Sequence, residues 1–346
     1  MTLPLIRRAL LLVALLTPGG TLASPIELVI FGDSMSDTGN MSALSSGLFS
    51  SRYSNGDIWV DHFASEQGLT LNTVYATGSL AGDINNFAAG GAYSGSFATP
   101  GVLGGLSSSN VSDTFVNAVL FPGLQEQVAY YGVLLSTGMA SPEAWHVVWA
   151  GGNDLLFADL NASTAQALVP GAVANVRTAI ETLAAFGATQ FLIPNLADIG
   201  LTPFGLSGAR SVELSAGTTI YNAKLALMLD DLETLLGINT TMVDMYSLVN
   251  EVAFGIQTDA SGNLFPGSGP GTGFGPCLVN SVDLCAAGGL DPNDFLSWDG
   301  LHPTSRAHGL ISDAILDAKG IPEPTTLLLL VLGLGGVYYS ARRRTA

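Results

Sequence analysis

The sequence predicts an α/β protein, a three-layer α/β/α sandwich built around a central, mainly parallel sheet. Four short apolar runs rich in β-branched residues each end in a cluster of Gly, Asn, Asp or Pro, at residues 27–34, 146–154, 190–200 and 240–247. Runs of this length and composition are typical of strands that are covered on both faces. Segments with helical spacing separate the runs, and strands that alternate with helices favour a parallel sheet.

The helical segments follow the strands in chain order. They cover residues 125–137, 163–186 and 217–236, and a last helix is predicted after Pro303. Pro170 and Gly171 predict an interruption of the second segment. Residues 257–276 are too rich in Gly and Pro for regular structure, which predicts a long surface loop. Such folds bind ligands at the carboxyl ends of their strands, so the polar clusters there contain the candidate functional residues.

Both ends of the chain have the composition of addressing segments. Residues 1–23 place Arg7 and Arg8 before an apolar run and a small-residue exit. This is the layout of a secretory signal peptide, with a buried N-terminal helix as the alternative. Residues 321–346 place Pro-Glu-Pro before about seventeen mostly apolar residues and three arginines, a length at the short limit for crossing a bilayer. Residues 24–320 are then one folded domain.

The C-terminal segment resembles the PEP-CTERM sorting tail of Gram-negative bacteria, which has the same Pro-Glu-Pro motif, short hydrophobic helix and basic end. The resemblance implies transient membrane association and recognition by exosortase-type machinery at the inner membrane. It also implies delivery to the cell surface or the extracellular matrix. A plain C-terminal membrane anchor is the alternative that the residues leave open.

The predicted mature domain is strongly acidic. The two ends contain five of the eleven Lys and Arg residues but only Glu323 of the 28 acidic ones, which leaves six bases against 27 acids and a formal charge of −21. Such a surface disfavours nucleic acid and anionic membrane faces, so we expect no nucleic-acid role. Cys277 and Cys285 lie in a Gly-rich stretch, and export would place them in an oxidising compartment, which predicts a local disulfide. Two thiols without a nearby His are a poor zinc set, so no metal site is predicted.

Ser34 follows the first apolar run, in the stretch VIFGDSMSDTGN at residues 29–40. Taken alone, Gly-Asp-Ser is ordinary turn chemistry. A serine nucleophile needs a base to take its proton and an acceptor to orient that base. Near the other end of the domain, SWDGLHPTS places Asp299 three residues before His302, a separation that lets the two side chains meet within one turn.

Acyl transfer also needs hydrogen-bond donors where negative charge develops in the tetrahedral intermediate. The stretch NNFAAGGA, residues 85–92, offers glycine amides that can approach a substrate without hindrance from a Cβ. The stretch GGND, residues 151–154, offers the side-chain amide of Asn153 at the end of a strand. Each cluster alone is more often a turn than a donor.

Together, the four clusters resemble the SGNH hydrolase superfamily, and within it the GDSL lipases and esterases. The matching blocks are FGDSMSDTGN, NFAAGGA, GGND and DGLHP, in that order, and IPNLADIGLTP is similar to an intervening Pro-rich block. The resemblance spans residues 26–318 and implies an SGNH-type, flavodoxin-like sandwich. Met35 stands where the family has the Leu of its name, and a change from Leu to Met nearly conserves volume.

Carried over by position, the resemblance implies Ser34 as the nucleophile, His302 as the base and Asp299 behind it. The oxyanion donors fall on the Ser34 amide, the Gly91 amide and the Asn153 side chain. Gly90 is the alternative to Gly91, because the doubled glycine leaves the register open by one residue.

The implied activity is two-step hydrolysis of carboxylic esters, of lipids, phospholipids or acetylated glycans, with no metal or organic cofactor. A second hypothesis is a non-catalytic, exopolysaccharide-associated surface protein that retains the fold. For the other three histidines, His62, His146 and His308, we expect structural or surface roles.

Overall fold

Six parallel strands form one central sheet. The computed structural model describes residues 28–96, 122–136, 144–158, 163–253, 278–279, 282–283, 285 and 288–319. The strands are β1 (Leu28–Gly32), β2 (Leu71–Thr73), β3 (Ile84–Asn86), β4 (Trp145–Trp149), β5 (Gln190–Pro194) and β6 (Asn239–Val243). Their order across the sheet is β2-β3-β1-β4-β5-β6, and every neighbouring pair is parallel. The predicted fold class is therefore confirmed.

Helices cover both faces of this sheet. They are α1 (Asn40–Leu44), α2 (Trp59–Gln67), α3 (Val74–Thr77), α4 (Leu124–Ser136), α5 (Gly152–Leu156), α6 (Ala165–Ala185), α7 (Pro203–Ser207), α8 (Ser211–Leu236), α9 (Met245–Ala253) and α10 (Ser305–Lys319). Helix α6 packs against α8 and α4 in one layer, and α10 packs against α2 in the other. A two-stranded antiparallel pair, β7 (Leu278–Val279) and β8 (Val282–Asp283), lies outside the sheet.

Burial on both faces explains the composition of the strands. All five residues of β1 are buried, and four of the five in β4 and in β5 are buried as well. Aromatic rings fill the space beside β1, where Phe31 stacks on Phe87 and meets Tyr131 edge to face. Because the chain adds β2 and β3 on one side of β1 and then crosses to β4 on the other side, the winding reverses between β1 and β4. The carboxyl ends of these two strands therefore border the crevice where such sheets bind ligands.

The interruption predicted at Pro170 and Gly171 is wrong. Helix α6 runs through both residues without a break. Pro170 lies in the second turn of the helix and is exposed, so water can reach the carbonyl that loses its helical donor. Helix α8 begins at Ser211, before the predicted start at residue 217. The three-residue strands β2 and β3 were not predicted, because neither contains an apolar run.

Several predictions concern residues that the structure does not describe. The signal peptide, the C-terminal segment and the loop at 257–276 lie outside the described residues, as does Cys277 of the predicted disulfide. Cys285 is described and is buried. Among the described helices, none combines the length and the apolarity needed to cross a membrane.

Candidate active site

Ser34 lies just beyond the end of β1, at the carboxyl edge of the sheet. Gly32 has a φ of +157°, and a Cβ there would stand 2.4 Å from the carbonyl oxygen of Trp149 on β4. Only glycine therefore allows the two strand ends to approach this closely. The Oδ1 atom of Asp33 accepts a hydrogen bond from the Met35 amide at 3.0 Å, which closes the turn around Ser34.

The hydroxyl of Ser34 meets the imidazole of His302. The Oγ atom of Ser34 lies 2.8 Å from Nε2 of His302. The Nδ1 atom of His302 lies 2.7 Å from Oδ2 of Asp299. The other oxygen of Asp299 accepts the backbone amides of Leu301 and His302 at 2.7 and 2.8 Å. The structure thus brings the three predicted catalytic residues into one hydrogen-bonded chain.

A tight loop holds Asp299 and His302 in this arrangement. Ser297 and Pro303 form an antiparallel bridge, and the Trp298 amide donates to the His302 carbonyl at 2.8 Å. Burial alone would raise the pKa of Asp299, but the hydrogen bond and the charge of His302 hold that pKa below its ordinary value. An ionised Asp299 keeps the proton of a neutral imidazole on Nδ1, so Nε2 is left to accept the proton of Ser34.

The carboxylate of Asp37 distinguishes the two glycines that follow β3. It accepts the Gly90 amide at 2.8 Å on Oδ2, and it also accepts the amides of Gly39, Asn40 and Met41 at the start of α1. Gly91 has a φ of +78°, and its amide donates to no described residue. The Gly90 amide is therefore already hydrogen-bonded to Asp37, whereas the Gly91 amide has no such bond to a described residue.

Asn153 lies in the first turn of α5, directly after β4, and it is buried. Its Nδ2 atom donates to the Ala92 carbonyl at 2.9 Å and lies 3.4 Å from Oδ2 of Asp33. The second contact is longer than an ordinary N–H···O hydrogen bond, so this N–H is only weakly held. Burial raises the pKa of Asp33 to about 6, although the hydrogen bond from Met35 and the charge of His302 oppose the rise.

A sequence profile of the GDSL-like lipases and acylhydrolases matches residues 28–315. The chain belongs to the GDSL-like lipase/acylhydrolase family. A profile of the PEP-CTERM protein-sorting motif matches residues 320–344, and a motif of this class indicates export.

Relatives of this family member are named as esterases. Esterase EstA of Pseudomonas aeruginosa is 27% identical over 346 residues, which cover 92% of this chain and 51% of EstA. The GDSL esterase/lipase ACHE of Zea mays is 24% identical over 347 residues, 86% of each chain. The chain spans about half the length of the Pseudomonas relatives that it matches.

Solved structures with a similar fold include Axe2, an acetylxylan esterase from Geobacillus stearothermophilus. It is 13% identical, with a TM-score of 0.44, and the match covers 86% of this chain and 95% of Axe2. LAE5, an alpha/beta hydrolase enzyme from the metagenome of Lake Arreo, is 15% identical, with a TM-score of 0.43 and coverage of 85% and 95%. Both likenesses are at the level of the fold.

An apolar cavity of about 130 Å³ opens beside the serine of this GDSL family member. Ser34, Asn153 and His302 line it, and Gly91 is not among its lining residues. Four further polar residues also line it: Asp33, Asp198, Thr202 and Ser297. Aliphatic side chains form the wall, among them Leu156, Leu196, Ile199, Met245, Leu296 and Leu301. Leu196, Ile199 and Leu201 come from the Pro-rich block at 193–203, so the structure gives that block a place in the cavity wall.

One neighbour of His302, Tyr53, was not predicted from the sequence. The ring of Tyr53 lies over His302, with 5.2 Å between the ring centroids, and it also packs so closely on Gly90 that a Cβ there would collide with it.

Within the described ranges, no group of three or more His, Cys, Asp or Glu side chains is arranged to hold a metal ion.

The other three histidines make contacts away from Ser34. The Nε2 atom of His62 lies 3.0 Å from the Ser305 carbonyl oxygen and ties α2 to α10. The Nε2 atom of His146 lies 3.1 Å from the Tyr131 hydroxyl in the core. His308 is fully buried, and neither of its ring nitrogens has a hydrogen-bond partner among the described residues.

The buried imidazole of His308 makes stability depend on pH. Burial lowers its pKa to about 3, with smaller contributions from His302 and His62. An unfolded chain takes up this proton below about pH 6.5, whereas the folded chain does so only near its own pKa, so the contribution to stability is lost as the pH falls. Between pH 8 and pH 5 the wild type should lose roughly 2 kcal/mol of unfolding free energy through His308. The His308→Leu variant has no such group, so its unfolding free energy should rise by that amount relative to the wild type over the same pH range.

Urea unfolding of both proteins at the two pH values measures this gain. The Ser312→Ala variant, which changes another buried side chain one turn along α10, is the control and should show no such gain. An equal pH dependence in the wild type and in His308→Leu would contradict the prediction.

Proposed function

We propose that this protein hydrolyses carboxylic esters through Ser34, His302 and Asp299. The chain of contacts at 2.8 and 2.7 Å from the hydroxyl through the imidazole to the carboxylate supports this most directly. Ser34 Oγ attacks the ester carbonyl as His302 Nε2 takes its proton, and the protonated His302 then gives that proton to the leaving alcohol. His302 next activates a water that hydrolyses the acyl-enzyme.

Three donors are proposed for the negative oxygen of the tetrahedral intermediates. They are the amides of Ser34 and Gly91 and the side chain of Asn153. The Ser34 and Gly91 amides donate to no described residue, which leaves both for a substrate. The bond to Ala92 orients the Asn153 amide, and its weakly held second N–H can turn to the oxyanion. The bond between Gly90 and Asp37 supports Gly91 over Gly90.

Among the predicted ester classes, we favour lipid esters with a short to medium acyl chain. An engineered cavity of about 150 Å³ with an apolar lining stays dry and binds benzene, so the cavity beside Ser34 has room for a chain of a few methylene groups. Each hydroxyl of a sugar ring that lay against the aliphatic part of this wall would lose its hydrogen bonds, at a cost of roughly 1–3 kcal/mol.

This pocket predicts a dependence on acyl length. Each methylene that leaves water contributes about 0.8 kcal/mol, so kcat/KM for p-nitrophenyl esters should rise at least about 10-fold from acetyl to hexanoyl. The Ile199→Phe variant narrows the cavity and should abolish the rise. Val212→Phe, at an exposed position on α8, makes the same kind of change away from the cavity and should retain it. A flat profile in the wild type would reject the acyl pocket.

Covalent labelling tests the proposed nucleophile and separates an enzyme from a non-catalytic binding protein. A fluorophosphonate should form a stable adduct on Ser34, located by mass spectrometry of peptides, because the probe reacts with a serine that a base activates. Heat-unfolded protein is the control and should remain unlabelled. A folded protein that takes up no label at Ser34 would support the exopolysaccharide-associated alternative.

Export and sorting are part of the proposal. The PEP-CTERM motif at residues 320–344 supports delivery to the cell surface or the extracellular matrix by exosortase-type machinery. The predicted signal peptide at residues 1–23 would start that route, and the formal charge of −21 on the mature domain would keep it away from nucleic acid.

A further inference from the structure

Two side-chain amides each bind both the N–H and the C=O of one residue near the end of a strand. Gln127 of α4 accepts the Gly32 amide on Oε1 at 2.9 Å and donates from Nε2 to the Gly32 carbonyl at 2.8 Å. Asn222 of α8 accepts the Leu196 amide on Oδ1 at 2.9 Å and donates from Nδ2 to the Leu196 carbonyl at 2.8 Å. Each amide supplies the donor and the acceptor that a neighbouring strand would otherwise provide.

The two residues that these amides bind, Gly32 and Leu196, lie at or beyond the end of a strand ladder. The β1–β3 ladder covers only Leu28–Ile30, and Gly32, which is the last residue of β1 to pair with β4, lies two residues further on. On the β3 side its carbonyl also accepts a hydrogen bond from the Ala89 amide at 3.1 Å, whereas its own amide donates to Gln127. The β5–β6 ladder ends at Pro194, and Leu196 lies two residues further on. A backbone that has left its ladder is free to move unless another group binds it. Gln127 adds two bonds to the last residue of β1, and Asn222 binds the backbone that continues past the β5–β6 ladder.

The clamp on Gly32 acts immediately before the nucleophile. Gln127 is fully buried on the apolar face of α4, and its Nε2 also lies 3.2 Å from the Pro122 carbonyl. On its other side, Gly32 is in close contact with the Trp149 carbonyl of β4. The backbone two residues before Ser34 is therefore fixed between a helix and a strand.

The clamp on Leu196 acts on the cavity instead. Leu196 is buried and forms part of the aliphatic wall beside Ser34. Asn222 touches neither the catalytic triad nor the cavity itself, and it reaches this wall only through the Leu196 backbone.

We propose that Gln127 and Asn222 are positioning residues with separate tasks: Gln127 sets the position of Ser34, and Asn222 sets the acyl-binding wall at Leu196. The proposal rests on the proposed ester hydrolysis. If Ser34 is less well positioned, the rate falls equally for every ester. If the cavity wall at Leu196 is less well positioned, the preference for one acyl chain over another changes. The two variants therefore differ in the kind of effect as well as in its size.

The Gln127→Met variant keeps the side-chain volume and removes both bonds to Gly32. We expect kcat to fall about 10-fold to 100-fold for acetyl and hexanoyl esters alike, with KM within about twofold of the wild type, because small displacements of a reacting group cost this much. Fluorophosphonate labelling of Ser34 should slow by a similar factor. The Gln127→Glu variant keeps the acceptor, and its kcat relative to the wild type should rise as the pH falls and the carboxyl gains a donor proton.

The matched control is Asn72→Leu. Asn72 is a buried amide of edge strand β2 that donates to the Ser79 carbonyl at 2.7 Å and to Asn85 at 3.0 Å. Its loss disturbs the sheet to a similar degree but far from β1, so kcat should stay at the wild-type level when all variants are assayed well below their melting temperatures.

The Asn222→Leu variant should change specificity. We expect the ratio of kcat/KM for hexanoyl over acetyl esters to fall on the order of 10-fold, since an apolar pocket discriminates by about this much per group. The same ratio should be unchanged in Gln127→Met. Wild-type kcat in both Gln127 variants, or a loss in Asn72→Leu equal to that in Gln127→Met, would overturn the first assignment. An unchanged ratio in Asn222→Leu would overturn the second. A wild-type protein that neither hydrolyses an ester nor takes up the label would instead reject the proposed function.

Discussion

The Ser34→Ala variant is expected to lose about 10⁴-fold to 10⁶-fold in kcat for hydrolysis of p-nitrophenyl esters. The change removes the Oγ atom that lies 2.8 Å from His302 Nε2, and no other hydroxyl is bonded to that nitrogen among the described residues. Steady-state rates with a hexanoyl ester measure the loss. Residual hydrolysis above the uncatalysed rate is expected, because the proposed oxyanion donors remain in place.

Ser36→Ala is the matched control for that experiment. Ser36 is also buried and lies two residues from Ser34, but its hydroxyl accepts the Trp59 indole N–H at 3.0 Å and does not face His302. It should keep the wild-type rate, and both variants should give the wild-type circular dichroism spectrum. A Ser34→Ala protein with undiminished turnover would sink the assignment of the nucleophile.

The Asp299→Asn variant is expected to lower kcat by about 10⁴-fold while the protein stays folded. An amide at this position can donate to Nδ1 of His302, which moves the imidazole proton to Nε2 and leaves no base facing Ser34. The side-chain carbonyl of the asparagine can still accept the two backbone hydrogen bonds that Oδ1 accepts in the wild type, so the loop at 297–303 should keep its conformation.

Nitrogen NMR of His302 would report the tautomer directly in the wild type and in the variant. Asp291→Asn is the control, because Asp291 also accepts a backbone amide in a nearby turn but contacts no histidine. A loss of less than 10-fold, or an unchanged tautomer, would contradict the role given to Asp299.

Sequence reasoning worked best where a few adjacent residues carry the information. Ser34 lies in a short block at the end of β1, and Asp299 and His302 share a short block in the loop ahead of α10, and the turn chemistry of each block is local. The five-residue strands β1, β4 and β5 can be predicted from the sequence, because burial on both faces requires a continuous run of apolar residues. The strands β2 and β3 span three residues each, and polar Asn side chains within them bond across the sheet edge, so no apolar run exists to be read.

The cavity wall and the strand clamps depend on contacts between distant segments. Leu196, Met245 and Leu296 come from three parts of the chain, and their meeting follows from the order of β5 and β6 and from the loop before α10. Gln127 did leave a sign, since it is a polar residue on the apolar face of α4. Its partner Gly32 lies 95 positions away in the chain, and no sequence pattern predicts that the two residues meet.

The proposed triad is divided between the two ends of the folded domain, because His302 lies 268 positions after Ser34 in the chain. A partly synthesised or partly translocated chain therefore carries the serine without its base, and a serine hydroxyl without a base is a weak nucleophile. The proposed reactivity would begin only when the loop at 297–303 has brought Asp299 and His302 to Ser34, with the helix α10 that follows packed against α2. Under the proposed function, the order of the chain would delay ester hydrolysis until the last part of the domain is made.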